Sequence, residues 1–381
     1  MIFEEKGKPC LSILFETLIY ISIILSINST TIKASPIIDY LIIGAGLAGS
    51  SLAWRLGINK YNYKIFDSRN LASASQVAAG FINPITGKWM TESWKIDTLM
   101  PKAKAFYQDI EERLGINIVQ DLPIRRYFIN QEDPIRARRR IKNPRYANYF
   151  DPILEKGSNP NGIIDDFGSI PIRQGSWVNV PSLIQNLKSY FKSQDSLIDD
   201  TFDANQLEQN GQHWNYRGIK TKNIVFCQGI HTRENPFFKD LPIIPIKGDV
   251  LDIRLKDIQL PLGLYYKKRW LHSLKTKNQD FLYRLGASYD VGNSDTIPCS
   301  SAREELVSVL KDMLGTNLLF EIEEHRSGIR PTTKDAKPLL IRHPTHSSLF
   351  AINGLGSKGS AIAPYLSELF MDLMGKEFPK F

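Results

Sequence analysis

The sequence has little from which to build a cross-linked, metal-held or membrane-spanning fold. Its three cysteines, Cys10, Cys227 and Cys299, are widely spaced and odd in number, which suggests neither a disulfide framework nor a zinc cluster and fits a reducing compartment, the cytoplasm. The six histidines form no zinc-ligand pattern, and His343 and His346 sit in a proline-containing turn that reads as polar loop, so no metal is expected. Long apolar runs are also missing. Leu11–Ile27 is broken by Glu16 and Thr17, and the continuous run Leu18–Ile27 falls well short of the ~20 residues needed to cross a bilayer. That run resembles the apolar region of an export signal, with Ala34 as a poor cleavage position, but Glu4 and Glu5 cancel Lys6 and Lys8 ahead of it. The other reading of residues 1–36 is a non-native extension or a mis-set start, because the first recognisable element begins at Ile37. Repeats and biased tracts are absent.

What is present is ordinary globular composition, with 42% hydrophobic and 23% charged residues in a chain of 381. A single core stops growing at roughly 250–300 residues, so two connected lobes are expected. The formal charge of +8 favours anionic partners such as a dinucleotide, a carboxylate substrate or a nucleic acid.

From Ile37 the chain reads as a strand buried on both faces that runs into Gly44, Gly46 and Gly49, the spacing G-x-G-x-x-G. Leu47–Leu56 has helical character, and a second strand, Tyr63–Phe66, ends at Asp67, eighteen residues after Gly49. The three glycines act differently. Gly44 permits the tight turn, Gly46 lets backbone approach a pyrophosphate, and Gly49 lets the helix pack on the sheet. The amides of Leu47 and Ala48 at the helix N-terminus then face the phosphates, and Asp67 accepts ribose hydroxyls. This βαβ unit predicts an adenine dinucleotide and serves FAD or NAD equally well.

Further on, Met100–Leu114, Ser182–Phe191, Ala302–Leu314 and Ser360–Leu373 read as helices, and Asn223–Cys227 as a buried strand closed by Gln228 and Gly229. Asp121–Pro181 reads as strands and loops, and Leu262–Leu271 and Phe281–Ala287 as two strands joined by the turn Lys275–Asp280. The fold class is α/β with an inserted, mainly antiparallel sheet. Expected boundaries are 37–100, 182–240 and 325–381 for a discontinuous dinucleotide-binding domain, and 101–181 and 241–324 for a substrate domain.

Four runs bear on the choice of cofactor: Ala74–Pro84, Ile224–Gly229, Ser327–Pro338 and Asn353–Gly359. Together they resemble the glycine oxidase and D-amino-acid oxidase family, in order, over roughly Ile37 to Leu373. The resemblance implies a Rossmann-like FAD domain of the glutathione-reductase-like type, an inserted α+β substrate domain, and oxidation of an amine or amino acid with FAD as cofactor. By the same resemblance Ser75, Gln76, Ala79 and Gly80 line the flavin, and Gly229 closes on the dinucleotide. The loop Gly354, Leu355, Gly356, Ser357 and Gly359 passes the flavin ring, and Ser68 and Arg69 follow Asp67 at the adenosine end.

Two side chains are expected to carry the chemistry. Arg330 in the family's Arg-Pro pattern would hold a substrate carboxylate through two parallel hydrogen bonds, the alternative being an ion pair with Asp335 or another core acid. Lys358, with the following helix N-terminus, would stabilise negative charge on the reduced flavin, the alternative being a solvated surface lysine. No side-chain base stands out, and the electron acceptor is not legible. Cys227 reads as a small core residue. Two basic stretches, Arg136 to Lys142 and Tyr265 to Trp270, leave an RNA-binding reading open. So does the likeness of Gly354–Pro364 to the FAD domain of the bifunctional tRNA-modifying enzymes that act on 5-carboxymethylaminomethyl-uridine. A third reading is a flavin-binding protein without turnover, which would not need Arg330.

Overall fold

The computed structural model describes residues 36–68, 73–158, 162–274, 282–374, 376 and 378. Arg69, the expected turn Lys275–Asp280 and nearly all of the N-terminal extension lie outside the described residues.

The chain opens with β1 (Ile38–Ile43), α1 (Leu47–Ile58), β2 (Tyr63–Phe66), α2 (Ala74–Val77), β3 (Phe81–Ile82), β4 (Ile85–Thr86), β5 (Thr91–Glu92) and α3 (Ile96–Leu114). Then come β6 (Val119–Asp121), β7 (Ile124–Tyr127), α4 (Glu132–Ile141), β8 (Ser169–Ile172), β9 (Ser176–Val178), α5 (Val180–Ser193), β10 (Leu197–Ile198), β11 (Leu207–Asn210), β12 (His213–Tyr216) and β13 (Ile219–Phe226). The last part holds β14 (Ile244–Leu255), β15 (Leu264–Lys267), β16 (Arg269–Leu274), β17 (Leu282–Gly286), β18 (Asp290–Val291) and α6 (Ser300–Leu314). It ends with β19 (Phe320–Thr332), β20 (Leu339–Arg342), β21 (Leu349–Asn353) and α7 (Gly359–Leu373).

The first large sheet is parallel at its centre, in the order β10-β2-β1-β13, with β21 beside β13 and antiparallel β11, β12 and β20 completing it. Side chains of β1 alternate between two cores. Tyr40 and Ile42 meet Leu52 of α1, Phe106 of α3 and Phe370 of α7, while Leu41 and Ile43 meet Trp214, Phe226 and Phe238 on the opposite face. Burial on both faces is why Tyr40–Ile43 reads as an unbroken apolar run. α1 is buried over most of its surface, and its small residues Ala48, Gly49, Ser50, Ser51 and Ala53 let it lie close between the sheet and α7. A methyl group on Gly49 would overlap the carbonyl oxygen of Gly44.

The second large sheet runs β18-β14-β17-β16-β15-β7-β8, with β19 on the other side of β14, and every pairing is antiparallel except that of β15 with β7. α6 covers one face, inserting Leu306, Val309, Leu310 and Met313 at helical spacing against Leu251, Ile253, Leu271 and Leu285. The other face, carrying Gly248, Val250, Trp270 and Tyr266, looks onto a cavity shared with the first sheet.

The architecture agrees with the expected α/β class and its largely antiparallel second sheet, but three local expectations differ. Leu262–Leu271 is two strands that reverse at Lys268, which adopts a left-handed conformation (φ 59°) with none of the usual turn residues at that position. Asp121–Pro181 contains a helix, α4, whose ends complement its dipole, Glu132 and Asp133 in the first turn and Arg138, Arg139 and Arg140 in the last. β19 runs through residue 325, where a lobe boundary was expected, and α3 packs on α7 through the hydrogen bond Tyr107 Oη to Ser360 O at 2.7 Å. Among the described residues no helix is long and apolar enough to cross a membrane.

Because the Gly49 contact is backbone against backbone, Gly49→Ala is expected to destabilise the protein by about 3 kcal/mol, the upper range for overpacking. A denaturant midpoint equal to that of the parent would contradict this account.

Candidate active site

The parallel strands β1, β2, β13 and β21 end along one edge, and there the chain turns through Gly44–Gly49, Asp67, Gln228–Gly229 and Gly354. Ligands of open α/β sheets bind outside these carboxyl ends. A cavity of about 600 Å³ begins here and extends beneath the open face of the second sheet.

At the strand ends the residues form a cradle for a dinucleotide. Gly44, Gly46, Leu47 and Ala48 line it, and α1 has neither a side-chain cap nor an acid in its first turn, so its positive end is not neutralised from within. Ala45 N donates to Asp67 Oδ1 at 2.7 Å, and Leu47 N donates to Ser75 Oγ at 3.0 Å. The second oxygen of Asp67 takes Lys188 Nζ of α5 at 2.5 Å. A carboxylate retains further lone pairs for a ribose diol, so Asp67 fits its expected role with Lys188 as a partner that the sequence did not signal.

Most of the other expected cofactor residues also reach the cavity surface: Ser68, Ser75, Gln76, Ala79, Gly80, Gly229, Leu355, Gly356, Ser357 and Gly359. Gly49 and Gly354 do not. Gly49 lies under the turn against Gly44 and Cys227, and Gly354 faces Thr333 and Leu339. Arg69 lies outside the described residues. Buried Asn353 ties the edge together, its Nδ2 donating to Gly229 O at 2.8 Å and to Thr232 Oγ1 at 2.7 Å. Cys227 is buried, and burial pushes its thiol pKa well above the usual range, which keeps it protonated.

The other end of the cavity is positive. Arg330 of β19 extends over Gly248 of β14, where a side chain would overlap the guanidinium. Its Nη1 lies 3.5 Å from Ser288 O, and it has no acidic ion-pair partner among the described residues. Asp335, its expected alternative partner, instead accepts from Thr333 Oγ1 and Lys337 N, each at 3.1 Å. Ser288 is fixed in turn by buried Asp249, whose backbone N donates to Ser288 Oγ at 2.8 Å and whose carboxylate meets His325 Nε2 at 2.9 Å. Lys358 is half-buried at the cavity wall, and burial alone lowers its pKa. Burial likewise lowers the pKa of Arg330, although a guanidinium keeps its charge at any ordinary pH.

Among the described lining residues the carboxylates are Asp67 and Asp200, both beside the dinucleotide cradle. The Arg330 end therefore offers no carboxylate base, and its walls are Trp270, Tyr266, Leu264 and Val250. Of these, Leu264 and Val250 were not legible as site residues, and Tyr266 and Trp270 stood out only within a stretch open to RNA binding. Gly248 was missed as well, because its constraint comes from a side chain on another strand.

Two substitutions separate the ends. Gly46→Ala would add a methyl about 3.4 Å from Ser75 Oγ at the cradle surface, so it should fold normally and bind the dinucleotide about tenfold more weakly, measured by titrating apoprotein. Gly248→Ala should leave dinucleotide affinity unchanged and displace Arg330, raising KM for a carboxylate substrate; an unaltered KM would remove Gly248 from the site.

The FAD dependent oxidoreductase family profile matches residues 39–373. The chain is similar to glycine oxidase of Bacillus subtilis, 24% identical over 357 residues that cover 89% of this chain and 94% of that protein. It is also similar to the tRNA 5-methylaminomethyl-2-thiouridine biosynthesis bifunctional protein of Marinobacter nauticus, 22% identical over 91% of this chain but 56% of that protein. Among solved structures, glycine oxidase from Geobacillus kaustophilus superposes with a TM-score of 0.74 at 21% identity, covering 90% of this chain and 95% of that one. The glycine turn, the acid at the end of β2 and a match that spans nearly every described element lead to one conclusion: the chain is an enzyme of the FAD-dependent oxidoreductase family, with FAD as its cofactor.

Proposed function

We propose that this enzyme oxidises the C–N bond of a small amine or amino acid that carries a carboxylate, of the glycine, sarcosine or D-amino-acid type. The observation that carries this reading is Arg330, a half-buried cation at the cavity wall that makes no ion pair with an acid among the described residues, nearby Asp249 being engaged by His325 and Ser288. Burying a charge is costly unless something opposite in sign reaches it, and a planar guanidinium matches a carboxylate through two parallel bonds. Bound FAD, held by the cradle of Gly44, Gly46, Leu47 and Asp67, would supply the two-electron acceptor for this oxidation. Arg330 would orient the carboxylate so that the bond to be broken meets that acceptor. With no carboxylate at this end to take a proton, the substrate amine would bind already neutral, and the imine product would be hydrolysed by water. Lys358 and the N-terminus of α7, which has no acid in its first turn, would stabilise the negative charge that arrives. The name of the Bacillus subtilis relative, glycine oxidase, agrees with this substrate class.

The tRNA reading shares the logic of Arg330, because an N-carboxymethyl group is itself a substituted glycine. The two basic stretches lend it little support. Lys267 donates to the carbonyls of Ile164 and Asp312, Lys268 pairs with Asp312, and Arg269 pairs with Glu305. Arg136, Arg138 and Arg140 also have partners within the fold.

Anaerobic mixing with glycine, sarcosine, D-amino acids and proline should bleach the flavin band. Bleaching by under-modified tRNA alone would favour the second reading, and no bleaching by any of them a non-catalytic flavoprotein. Arg330→Lys should raise KM for carboxylate substrates about 100-fold, the loss of roughly 2.7 kcal/mol of bidentate pairing, and change little for neutral amines. Equal effects on both would sink the assignment. Lys358→Ala should lower the reduction potential of bound FAD by roughly 30 mV, equivalent to about 1.4 kcal/mol for two electrons.

A further inference from the structure

Three arginines close on three successive carbonyls in the turn that joins β4 to β5. Arg126 Nη1 of β7 donates to Gly87 O at 2.8 Å, Arg136 Nη1 of α4 reaches Lys88 O at 3.5 Å, and Arg140 of α4 donates to Trp89 O through Nε at 3.2 Å and Nη2 at 3.1 Å. Arg136 also lies 4.7 Å from the centre of the exposed Trp89 ring. The turn belongs to the site, because Thr86 and Gly87 line the cavity.

Arg126 differs from the other two. It is 7% exposed, and its guanidinium carbon lies 5.1 Å from the centre of the Tyr266 ring, another part of the cavity wall. Asp133, an acid whose charge acts on it, is committed to Arg136 at 2.6 Å. A buried cation is therefore held between two elements of one wall, a carbonyl on the turn and an aromatic face on β15.

The sheet register fixes where that wall stands relative to Arg330. Arg330 lies over Gly248 on β14, and a row of paired residues then crosses the open face: Val250 with Gly286, Gly286 with Trp270, Trp270 with Tyr266, and Tyr266 with Arg126. Three strand spacings separate β14 from β15, a distance of roughly 14 Å. A substrate anchored at Arg330 has that row as its floor, and the Gly87 turn stands where the row ends.

We propose that Arg126 is a positioning residue that sets the length of substrate accepted, by locking the Gly87–Trp89 turn against Tyr266 as the far wall of the chamber that starts at Arg330. The proposal rests on Arg330 as the carboxylate anchor. The clamp also accounts for Arg136 and Arg140 of α4, which hold the same wall.

The test uses FAD-loaded enzyme and two ligand series, straight-chain carboxylates from acetate to octanoate and the matching primary amides, with binding read from the flavin absorption band. The parent should show a chain length beyond which affinity falls. Arg126→Met should move that limit to longer chains and raise affinity for the longest members about tenfold, the scale of one added methylene in a pocket. Arg126→Lys, which keeps the charge, should move it less. Tyr266→Leu, which removes the ring on which the guanidinium rests, provides the same test if Arg126→Met fails to retain FAD. A limit that shifts with the amides while carboxylates show no dependence on Arg330 overturns the carboxylate reading and leaves the wall in place. An unchanged or absent length limit in both series overturns the proposal.

Discussion

The contact between Gly49 and the carbonyl of Gly44 is the constraint on which the rest of the site depends. It lets α1 start directly above the carboxyl end of β1, which brings the amides of the glycine turn to Asp67 and Ser75 and opens the cradle between them. The same closeness makes room for α7 on the outer side of α1, and α7 carries the loop that ends the cavity. A larger residue at position 49 would disturb both ends of the site from one point.

The charges of the cavity are separated along its length. Asp67 and Asp200 stand at the cradle, with Lys188 already neutralising Asp67, whereas Arg330 and Lys358 stand at the other end with no acid among the described lining residues, Asp249 lying behind Ser288. Desolvated cations raise the free energy of the empty site, and an anionic ligand recovers that cost. The asymmetry therefore orients a substrate before any shape complementarity acts.

How much of this could be read from the sequence depended on whether the cause was local. The glycine turn, the acid at the end of β2 and the apolar parallel strands are set by neighbours within one βαβ unit, and they were legible. Arg330 and residues 355–359 were singled out through family resemblance, and they line the cavity. The reversal at Lys268 was not, because the turn is imposed by the pairing of β15 with β16 and of β16 with β17 rather than by a turn residue. Gly248, Lys188 and Arg126 were missed for a related reason. Each acquires its role from a partner brought close by sheet register or helix packing, and composition carries no trace of it. The arginines of α4 were noticed, but their count left an RNA-binding face open, whereas Arg136 and Arg140 meet backbone carbonyls and Arg138 meets Glu155.

Asn353 spans the two turns that finish the cradle, and β21, the strand it ends, adds to β13 late in the chain. During synthesis from the N-terminus the glycine turn emerges early, but the Gly229 turn stays unbraced and α1 lacks its contact with α7 until residues beyond 350 have left the ribosome. Contacts of such wide sequence separation form slowly, because the loop must close before they contribute. The incomplete parallel sheet therefore stays open to aggregation until β21 and the helix after it have joined the elements formed at the start of the domain, and the cradle is complete only then.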